Sequence, residues 1–463
     1  MKYRGSEIIE ASEGKLLQGN PAQQVSGFAI DSRQVKPGDF FIPFEGERTD
    51  GHLFIARAAK AGAAGAFHHL ARTPDPEIPP GFLLIGVNDS LKALQQLAAD
   101  YRNRFKLPVV AITGSSGKTT TKDFTAGVLS AKYNVLKTTG NLNNEIGLPL
   151  TILKLEDKHQ AAVLEMGMTA AGEIKTLCEI ARPSLGVITN IGEAHLEQLG
   201  SIEAIAAAKG ELLDYLGSGG VAVLNGDDPR LLEIRKRYPG KAYYYGFNQG
   251  DIKGLKLSLR GEKSFFRVRF PDKLEGWFES PLPGRELAGN ALAALTVGYI
   301  LGLTLPEMEK GLRLSEATAG RLQVLNNHKG TTIIDDTYNA NPDSVRSSLK
   351  VLAELGGART IAVLGDMLEL GPGSREAHAA VGRFAAGSGI GSLVTVGEMA
   401  RVSADEAKIA GLTVYPCTDH DEALVVLKNQ PLDEHWYVLV KGSRGMQMEK
   451  IVHSLIKEEG AGG

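Results

Sequence analysis

Short, uninterrupted apolar runs that alternate with helical stretches constrain this 463-residue chain most. In the middle of the chain these runs are Leu107–Thr113, Ala161–Glu165, Leu185–Asn190 and Val221–Asn225. Helical patterns lie between them, for example at Thr119–Lys132 and Ile202–Leu213. Strands that are apolar on both faces and alternate with helices are typical of a parallel sheet covered on both sides. The sequence therefore predicts an α/β fold.

The same pattern returns in the last third of the chain, so a second sheet is expected there. Its apolar runs are Thr331–Asp336, Thr360–Asp366, Ser392–Gly397 and Trp436–Gly442. A break near Leu314 separates the two sheets. Before the first sheet, Ala71–Gly81 holds four prolines in eleven residues, which favours a loop or linker. We therefore predict three domains, at residues 1–85, 86–313 and 314–463.

Charge and cysteine content exclude several classes of protein. The chain has 54 acidic and 51 basic side chains, a net charge of −3, so no basic face is required and nucleic acid is not an expected partner. Its two cysteines form neither a disulfide framework nor a metal-binding spacing, which favours a reducing compartment. The N-terminus has no apolar core of a signal peptide. We expect a cytoplasmic monomer.

One uncharged stretch, Leu287–Pro306, has the length of a membrane span. It also contains Asn290, two threonines, three glycines and a proline, and it is the only such stretch in the chain. A helix buried in the core of a soluble protein is therefore the better interpretation, and no direct membrane insertion is expected.

The segment Thr113–Thr121, TGSSGKTTT, directly follows a predicted strand and opens a predicted helix. Gly114 and Gly117 allow successive backbone N–H groups to face one anion, and the helix N-terminus adds its positive end. Lys118 can reach the outer phosphates of a nucleotide, and the Thr119 hydroxyl can bind Mg²⁺. The predicted nucleotide-binding residues of this loop are Gly114, Ser115, Ser116, Gly117, Lys118, Thr119 and Thr120.

Only two residues separate the two glycines, where the common phosphate loop has four. This shortened loop resembles that of the Mur ligases and of the related folylpolyglutamate synthases, which join a carboxylate to an amine and consume ATP. The resemblance implies an N-terminal α/β domain that binds a UDP-linked substrate, a central P-loop ATPase domain with a parallel sheet, and a C-terminal Rossmann-like domain. It also implies ATP and Mg²⁺ as cofactors.

Three polar residues follow predicted strands or lie on the next helix: Glu165, His195 and Lys209. Taken singly, they are ordinary for a solvated strand end, a loop histidine and a surface lysine. In the Mur ligases, a Glu and a His at these places bind Mg²⁺, and a carbamylated lysine holds a second ion. The resemblance therefore assigns catalytic roles to Lys118, Glu165, His195 and Lys209, and metal binding to Thr119, Glu165, His195 and carbamylated Lys209. Carbamylation requires a neutral amine, which burial or nearby cations favour.

The resemblance also assigns nucleotide contacts beyond the loop: Asn290 near the adenine, Arg321 on a phosphate and Asp336 on the ribose side. It places Tyr338, Asn339 and Asn341 in the catalytic cleft as substrate-binding residues. The segment Ile333–Ser344 is also a plausible Asx-rich turn that caps a helix after Asp343, and the two interpretations are compatible. Since Arg321 and Asp336 must meet Lys118, domain closure is expected.

The N-terminal segment Asp31–Ala63 resembles the UDP-muramoyl-binding domain of the family, which folylpolyglutamate synthases lack. The segment Lys137–Pro149 resembles a substrate loop. The predicted substrate-binding residues in these segments are Ser32, Arg33, Asp50, His52, Thr138, Thr139, Asn141 and Asn143.

Two further segments, Val363–Gly371 and Val440–Val452, resemble the branch of the family that joins D-alanyl-D-alanine to UDP-N-acetylmuramoyl-tripeptide. The Asp-Asn-Pro-Arg motif of the ligases that add the third stem residue is not found. Two alternatives stay open: a Mur-type ligase with a different amine, and a nucleotide-binding relative without catalysis. The sequence also leaves the third stem residue open, as lysine or diaminopimelate.

Overall fold

The computed structural model describes residues 3–46, 49–192, 196–316 and 318–457. Chain contacts divide the structure into two compact units. The first comprises Met1–Ala111, Asn134–Met168 and Glu173–Ser184, and the second comprises Ile112–Tyr133, Thr169–Gly172 and Leu185–Gly463.

The strands, in chain order, are β1 (Tyr3–Arg4), β2 (Lys15–Gln18), β3 (Gln24–Val25), β4 (Gly27–Ala29), β5 (Asp39–Phe41), β6 (Gly65–His69), β7 (Leu83–Val87), β8 (Val109–Thr113), β9 (Val135–Lys137), β10 (Ala161–Glu165), β11 (Leu185–Ile188), β12 (Val221–Asn225), β13 (Lys241–Gly246), β14 (Ile252–Arg260), β15 (Lys263–Arg269), β16 (Glu275–Ser280), β17 (Gln323–Asn326), β18 (Thr332–Asp336), β19 (Thr360–Gly365), β20 (Ser392–Val396), β21 (Thr413–Cys417) and β22 (Tyr437–Lys441).

The α-helices are α1 (Gly5–Ala11), α2 (Ile55–Lys60), α3 (Ser90–Asn103), α4 (Lys118–Ser130), α5 (Gly147–Ile152), α6 (Glu173–Ala181), α7 (Leu196–Leu199), α8 (Ile202–Leu216), α9 (Pro229–Arg235), α10 (Arg285–Ile300), α11 (Leu305–Arg313), α12 (Pro342–Gly356), α13 (Ser374–Gly387), α14 (Ala400–Ile409), α15 (His420–Lys428) and α16 (Glu449–Lys457). Short 3₁₀ helices cover Gly51–Phe54, Gly371–Gly373 and Arg444–Met446.

In the first unit, β4, β5, β6 and β7 pair in parallel, and β2 joins β7 in the antiparallel direction. Phe41 and Leu84 of this sheet pack with Ile55 and Ala58 of α2 in one apolar cluster. The proline-rich segment 71–81 forms the predicted loop between β6 and β7. Strand β10 has the predicted bounds and pairs in parallel with β9.

In the second unit, β11 and β12, which the apolar runs predict, pair in parallel, and β13, which they do not predict, pairs in parallel with β12. The sheet continues through β14 into β15 and β16, which pair in the antiparallel direction. The apolar runs in the sequence do not predict β14, β15 or β16. In β15 the buried residues Ser264, Phe266 and Val268 alternate with more exposed ones, which is typical of an antiparallel sheet with one face exposed to solvent.

The uncharged stretch forms α10, which is buried along most of its length and ends at Ile300. Pro306 belongs to the next helix, α11, where Thr304 caps the N-terminus. The prediction of a core helix is thus confirmed. Among the described residues, no helix combines the length and the apolarity needed to cross a membrane.

The last sheet of the second unit has the order β17-β18-β22-β19-β20-β21. All its pairs are parallel except β17 with β18. Ile333, Val363, Val394 and Val440 bury its apolar face against Met448 and α16. The carboxyl ends of β18 and β22 meet in register, with Asp336 opposite Lys441.

Candidate active site

The loop between β8 and α4 is held by the residues that follow β11. The backbone N–H of Ser115 donates to the carbonyl of Asn190 at 3.1 Å, and that of Ser116 donates to Oδ1 of Asn190 at 2.9 Å. The Thr189 hydroxyl donates to the carbonyl of Ser116 at 2.6 Å. Helix α4 begins at Lys118, whose Nζ donates to the carbonyl of Gly114 at 2.8 Å. These bonds fix the curled backbone of the predicted phosphate loop.

Both glycines of the loop are required by geometry. Gly114 has φ +149°, and a Cβ at this position would lie 1.9 Å from Oγ1 of Thr189. Gly117 caps α4 with φ +75°, and a Cβ there would lie 2.7 Å from Oδ1 of Asn290. L-residues with a side chain seldom adopt such positive φ angles. The structure thus places Asn290 directly against the phosphate loop.

A cavity of about 560 Å³ in the second unit opens onto this loop. It brings together most of the nucleotide-binding residues that the sequence predicts, and two of the cleft residues. These are Ser115, Ser116, Gly117, Lys118, Thr119, Thr120, Asn290, Arg321, Asp336, Asn339 and Asn341. Thr119 and Thr120 are nearly buried. A polar cavity at a helix N-terminus that also contains a lysine and an arginine suits a polyphosphate.

Lys209 lies on α8 and is only 1% exposed. Burial, and secondarily the positive charge of Lys118, holds the pKa of its amine well below the usual value. Both effects disfavour a second cation close to the phosphate loop. Lys209 is therefore not an ordinary surface lysine, and the neutral amine that carbamylation requires is favoured.

Both carboxylate oxygens of Asp336 accept hydrogen bonds. Oδ2 accepts from Nζ of Lys441 at 2.6 Å and from the hydroxyl of Ser348 at 2.6 Å, and Oδ1 accepts from the N–H of Leu322 at 3.2 Å. Burial lowers the pKa of Lys441, although the carboxylate of Asp336 opposes that shift. Beside this network, the guanidinium of Arg321 lies 4.1 Å from the ring centroid of Tyr338.

Asn341 caps α12: its Oδ1 accepts from the N–H of Ser344 at 2.8 Å, with Pro342 in the first turn. The expected Asx-rich turn is thus present, and the helix starts just before Asp343. Asn339 contributes its carbonyl, which accepts from Nζ of Lys441 at 3.0 Å.

Several cavity residues were not found from the sequence, among them Asn225, Asp227, Phe247 and Arg285. The guanidinium of Arg285 lies 4.7 Å from the ring centroid of Phe247 and donates to Oδ1 of Asn248 at 2.9 Å. Asn225 ends β12, and polar residues at the carboxyl ends of parallel strands are a signal that could have identified it. Phe247 and Arg285 are 38 positions apart and follow no local pattern.

Asp227 shapes the wall of this part of the cavity. Its carboxylate accepts from the backbone N–H groups of Phe247 at 2.8 Å, Asn248 at 2.9 Å and Gln249 at 2.9 Å. These bonds fix the turn after β13 into one conformation.

In the first unit, Glu165 ends β10 and is 2% exposed. Its Oε1 accepts from Nδ2 of Asn143 at 2.8 Å, and its N–H donates to Oγ1 of Thr138 at 3.0 Å. Its Oε2 is buried with no hydrogen-bond partner among the described residues. Since a buried carboxylate oxygen without a partner is costly, this atom fits a cation. Thr139 and Asn141, in the same segment, are exposed.

His195 lies outside the described residues, so its predicted metal-binding role is not addressed by the structure. Among the residues that are described, no group of three His, Cys, Asp or Glu side chains is close enough to hold a metal ion. The metal site that the family resemblance predicts includes His195, which lies outside the described residues, and a carbamylated lysine, which is not one of these four residue types.

Two predicted substrate-binding residues of the first unit contact each other. Asp50 caps the 3₁₀ helix 51–54, and its Oδ1 lies 2.9 Å from Nδ1 of His52. Burial alone would raise the pKa of Asp50, but hydrogen bonds from His52 and Arg72 hold it below the usual value. Ser32 is buried, whereas the side chain of Arg33 is 73% exposed and pairs with Asp31 at 2.7 Å.

Protein-family models match three segments of the chain. Residues 24–102 match the catalytic domain of the Mur ligase family, residues 112–298 match the Mur ligase middle domain, and residues 320–444 match the glutamate ligase domain of Mur ligases.

The chain is also similar to relatives over its full length. It is 37% identical to the UDP-N-acetylmuramoyl-tripeptide–D-alanyl-D-alanine ligase of Bacillus subtilis, with 99% of each chain covered. A crystal structure of MurF from Acinetobacter baumannii superposes with a TM-score of 0.90 at 32% identity, over 99% of each chain. MurF ligase from Thermotoga maritima in complex with ADP gives a TM-score of 0.82 at 30% identity, over 94% of this chain and 98% of that one. This chain belongs to the Mur ligase family.

Proposed function

We propose that this chain is an ATP-dependent ligase that joins D-alanyl-D-alanine to UDP-N-acetylmuramoyl-tripeptide, with UDP-N-acetylmuramoyl-pentapeptide, ADP and phosphate as products. The observation that carries the proposal is the full-length similarity to ligases with this activity, together with a phosphate loop of matching form. The cavity that contains Lys118, Asn290 and Arg321 is the nucleotide site of this proposal.

The reaction has two steps. A carboxylate oxygen of the tripeptide attacks the γ-phosphorus of ATP, and ADP leaves, which gives an acyl phosphate. The dipeptide amine then attacks the acyl carbon through a tetrahedral intermediate; the amine loses a proton, and phosphate leaves with the electron pair of the broken C–O bond. Two unit charges 4 Å apart repel by about 4 kcal/mol at an effective dielectric of 20, so the first step needs cations beside both anions. Lys118 and Arg321 supply two of them.

Mg²⁺ is a further expected cofactor. Thr119, Glu165, His195 and carbamylated Lys209 are the residues that would hold it, and the partnerless Oε2 of Glu165 supports this assignment. When bound, Mg²⁺ neutralises phosphate charge during the transfer. The buried amine of Lys209 adds carbon dioxide only when it is neutral, and its lowered pKa favours that state.

The remaining assignments are proposals of the same kind. Ser32, Arg33, Asp50 and His52 would bind the UDP-linked substrate, together with Thr138, Thr139, Asn141 and Asn143. Tyr338, Asn339 and Asn341 would bind substrate in the cleft, and Asp336 the ribose side of ATP. Three domains at 1–85, 86–313 and 314–463 would close around these ligands. We also propose a monomer in the cytoplasm, where ATP is available.

The deciding experiment measures phosphate release and product mass with ATP, Mg²⁺, UDP-N-acetylmuramoyl-tripeptide and a panel of amines. We expect release with D-alanyl-D-alanine, and a product with the mass of the pentapeptide. Release with a single amino acid instead would identify a Mur-type ligase with a different amine. No release with any amine, despite nucleotide binding, would identify a non-catalytic relative.

A matched pair of lysine variants tests the loop assignment. Lys118→Ala should abolish phosphate release, because it removes the cation closest to the phosphates. Lys236→Ala removes an exposed lysine that pairs with Glu233 on the surface, and it should leave the activity unchanged.

A further inference from the structure

The stretch between α11 and β17 is fastened to the helix that follows the phosphate loop. Thr318 in this stretch donates its backbone N–H at 3.1 Å and its hydroxyl at 2.6 Å to the same atom, Oδ2 of Asp123. Asp123 lies on α4, five residues after Lys118. Thr318 itself lies between the segments 112–298 and 320–444, which match the middle and C-terminal family models.

The helix before this stretch also touches α4 closely. A Cβ on Gly311 of α11 would lie 2.6 Å from the carbonyl oxygen of Gly127, and a Cβ on Gly127 would lie 2.1 Å from Oγ of Ser315. The two helices therefore meet at backbone distance. The chain is thus fixed on α4 as far as Ser315, and the bonds of Thr318 extend this attachment towards Arg321.

Beyond Thr318, the backbone passes through two left-handed residues, Gly320 with φ +73° and Leu322 with φ +51°. A leucine seldom adopts this conformation, so the surrounding contacts must impose it. The N–H of Leu322 donates to Asp336, and the carbonyl of Gly320 accepts from the N–H of Tyr338 at 3.1 Å. Arg321 is therefore held from both sides.

Asp123 has the properties of a fixed anchor. It is 2% exposed, and its Oδ1 lies 3.2 Å from Nζ of Lys122, which is also buried. A carboxylate in such a place is stable only when its oxygens are well paired. Because it is rigid and buried, Asp123 can hold Thr318 in one position.

We propose that Asp123 and Thr318 are positioning residues, whose hydrogen bonds fix the turn 318–322 and thereby direct Arg321 towards the phosphate loop. The inference rests on the proposed function, since phosphoryl transfer is the step that needs Arg321. Asp123 acts through Thr318 and Arg321. A displacement of about 1 Å in such a turn is enough to impair a catalytic group by up to about a hundredfold.

The kinetic test compares Thr318→Val, which removes the hydroxyl, with Thr318→Ser, which keeps it. We expect Thr318→Val to lower kcat about tenfold with KM for ATP changed less than about twofold, because Arg321 acts mainly in the transition state. Thr318→Ser should retain at least about half of the unmodified kcat. Asp123→Asn would weaken the same hydrogen bonds, but it also leaves the buried Lys122 without its counter-ion. If the Asp123→Asn protein fails to fold, the Thr318 variants alone decide the test.

The route through Arg321 is tested by a double-mutant cycle. Thr318→Val should cost nothing more when Arg321→Ala is already present. Two results would overturn the proposal that Thr318 acts through Arg321. One is a kcat in the double variant that is reduced by the product of the two single losses, and the other is full activity of Arg321→Ala.

Hydrogen exchange tests the anchor without any reaction. In nucleotide-free protein, Thr318→Val should speed exchange in a peptide covering 318–324, whereas Thr318→Ser should not. Unchanged exchange in Thr318→Val would overturn the anchor. If the unmodified enzyme forms no ligation product, the proposed function fails, and the exchange result still decides whether Thr318 holds the turn.

Discussion

Lys441 and Asp336 face each other in register at the ends of β22 and β18, with 2.6 Å between Nζ and Oδ2. Both side chains are almost completely buried. The pair therefore has little contact with water that could replace a lost partner.

The first prediction concerns this pair. Lys441→Met should lower the free energy of unfolding by about 3–5 kcal/mol, because it leaves a buried carboxylate without its cation. The double variant Lys441→Met/Asp336→Leu should be more stable than Lys441→Met alone. Thermal and denaturant unfolding provide the measurement, and Lys236→Met on the surface is the control. Equal stability of Lys441→Met and the unmodified protein would refute a structural role for the pair.

The second prediction concerns the phosphate loop. Gly117→Ala should weaken ADP binding at least about tenfold, because its methyl group enters the space of the Asn290 side chain in a left-handed residue. Asn290→Ala removes that obstacle. The loss of ADP affinity caused by Asn290→Ala should therefore be smaller in the Gly117→Ala variant than in the unmodified protein. Calorimetric titration of all four proteins with ADP measures this coupling. Strictly additive losses would show that the two residues do not interact.

The third prediction concerns the pH dependence of stability that Lys209 causes. Burial lowers the pKa of its amine below the usual value of 10.5. The amine is therefore neutral in the folded protein at pH values where the unfolded chain still binds a proton. In the pH range between the lowered pKa and 10.5, the unfolded state therefore binds one more proton. The free energy of unfolding should rise with pH by about 1.4 kcal/mol per unit relative to Lys209→Met.

The comparison should be made in buffers without carbon dioxide and without Mg²⁺, so that no carbamate contributes. Parallel stability curves for the two proteins would contradict the lowered pKa. Added bicarbonate should increase the mass of the unmodified protein by one carboxyl group, and it should leave Lys209→Met unchanged.

The fourth prediction concerns Glu165. Glu165→Gln keeps a hydrogen-bonding group beside Asn143 but loses the charge, so we expect phosphate release to fall at least about a hundredfold with the fold intact. Activity against Mg²⁺ concentration is the measurement, and EDTA should abolish the activity of the unmodified protein. A Glu165→Gln enzyme with an unchanged Mg²⁺ requirement would exclude Glu165 from metal binding.

The fifth prediction concerns the contact between α4 and α11. Gly311→Ala should destabilise the protein by about 1–3 kcal/mol, because the added methyl group meets backbone atoms that cannot move aside. Gly387→Ala is the matched control, since a Cβ at that helical position meets nothing within 4 Å. The control should be neutral or slightly stabilising.

The sequence predicts the parallel strands and the phosphate loop well, because both depend on local patterns. Strand β12 has the predicted bounds, and β18 and α4 each start within one residue of them. The family resemblance adds Asp336 and Arg321. These residues line one cavity with the loop.

Other features depend on contacts between distant residues, and a single sequence does not reveal them. Asp336 and Lys441 are 105 positions apart, and Asp123 and Thr318 are 195 apart. Neither pair has a spacing that marks it. The burial of Lys209 also depends on distant contacts, since a lysine in a helix is ordinarily exposed and the packing around α8 excludes water from it.

The three backbone hydrogen bonds that Asp227 accepts have a consequence for nucleotide selection. A loop that is already ordered loses its conformational entropy when the protein folds, and none is lost when the ligand arrives. The part of the cavity wall formed by Phe247 and Asn248 is therefore ordered before any ligand arrives. In the proposed nucleotide site, we expect this wall to select ligands by shape and by fixed hydrogen-bonding groups, because the loop is not free to adapt to a ligand that does not match.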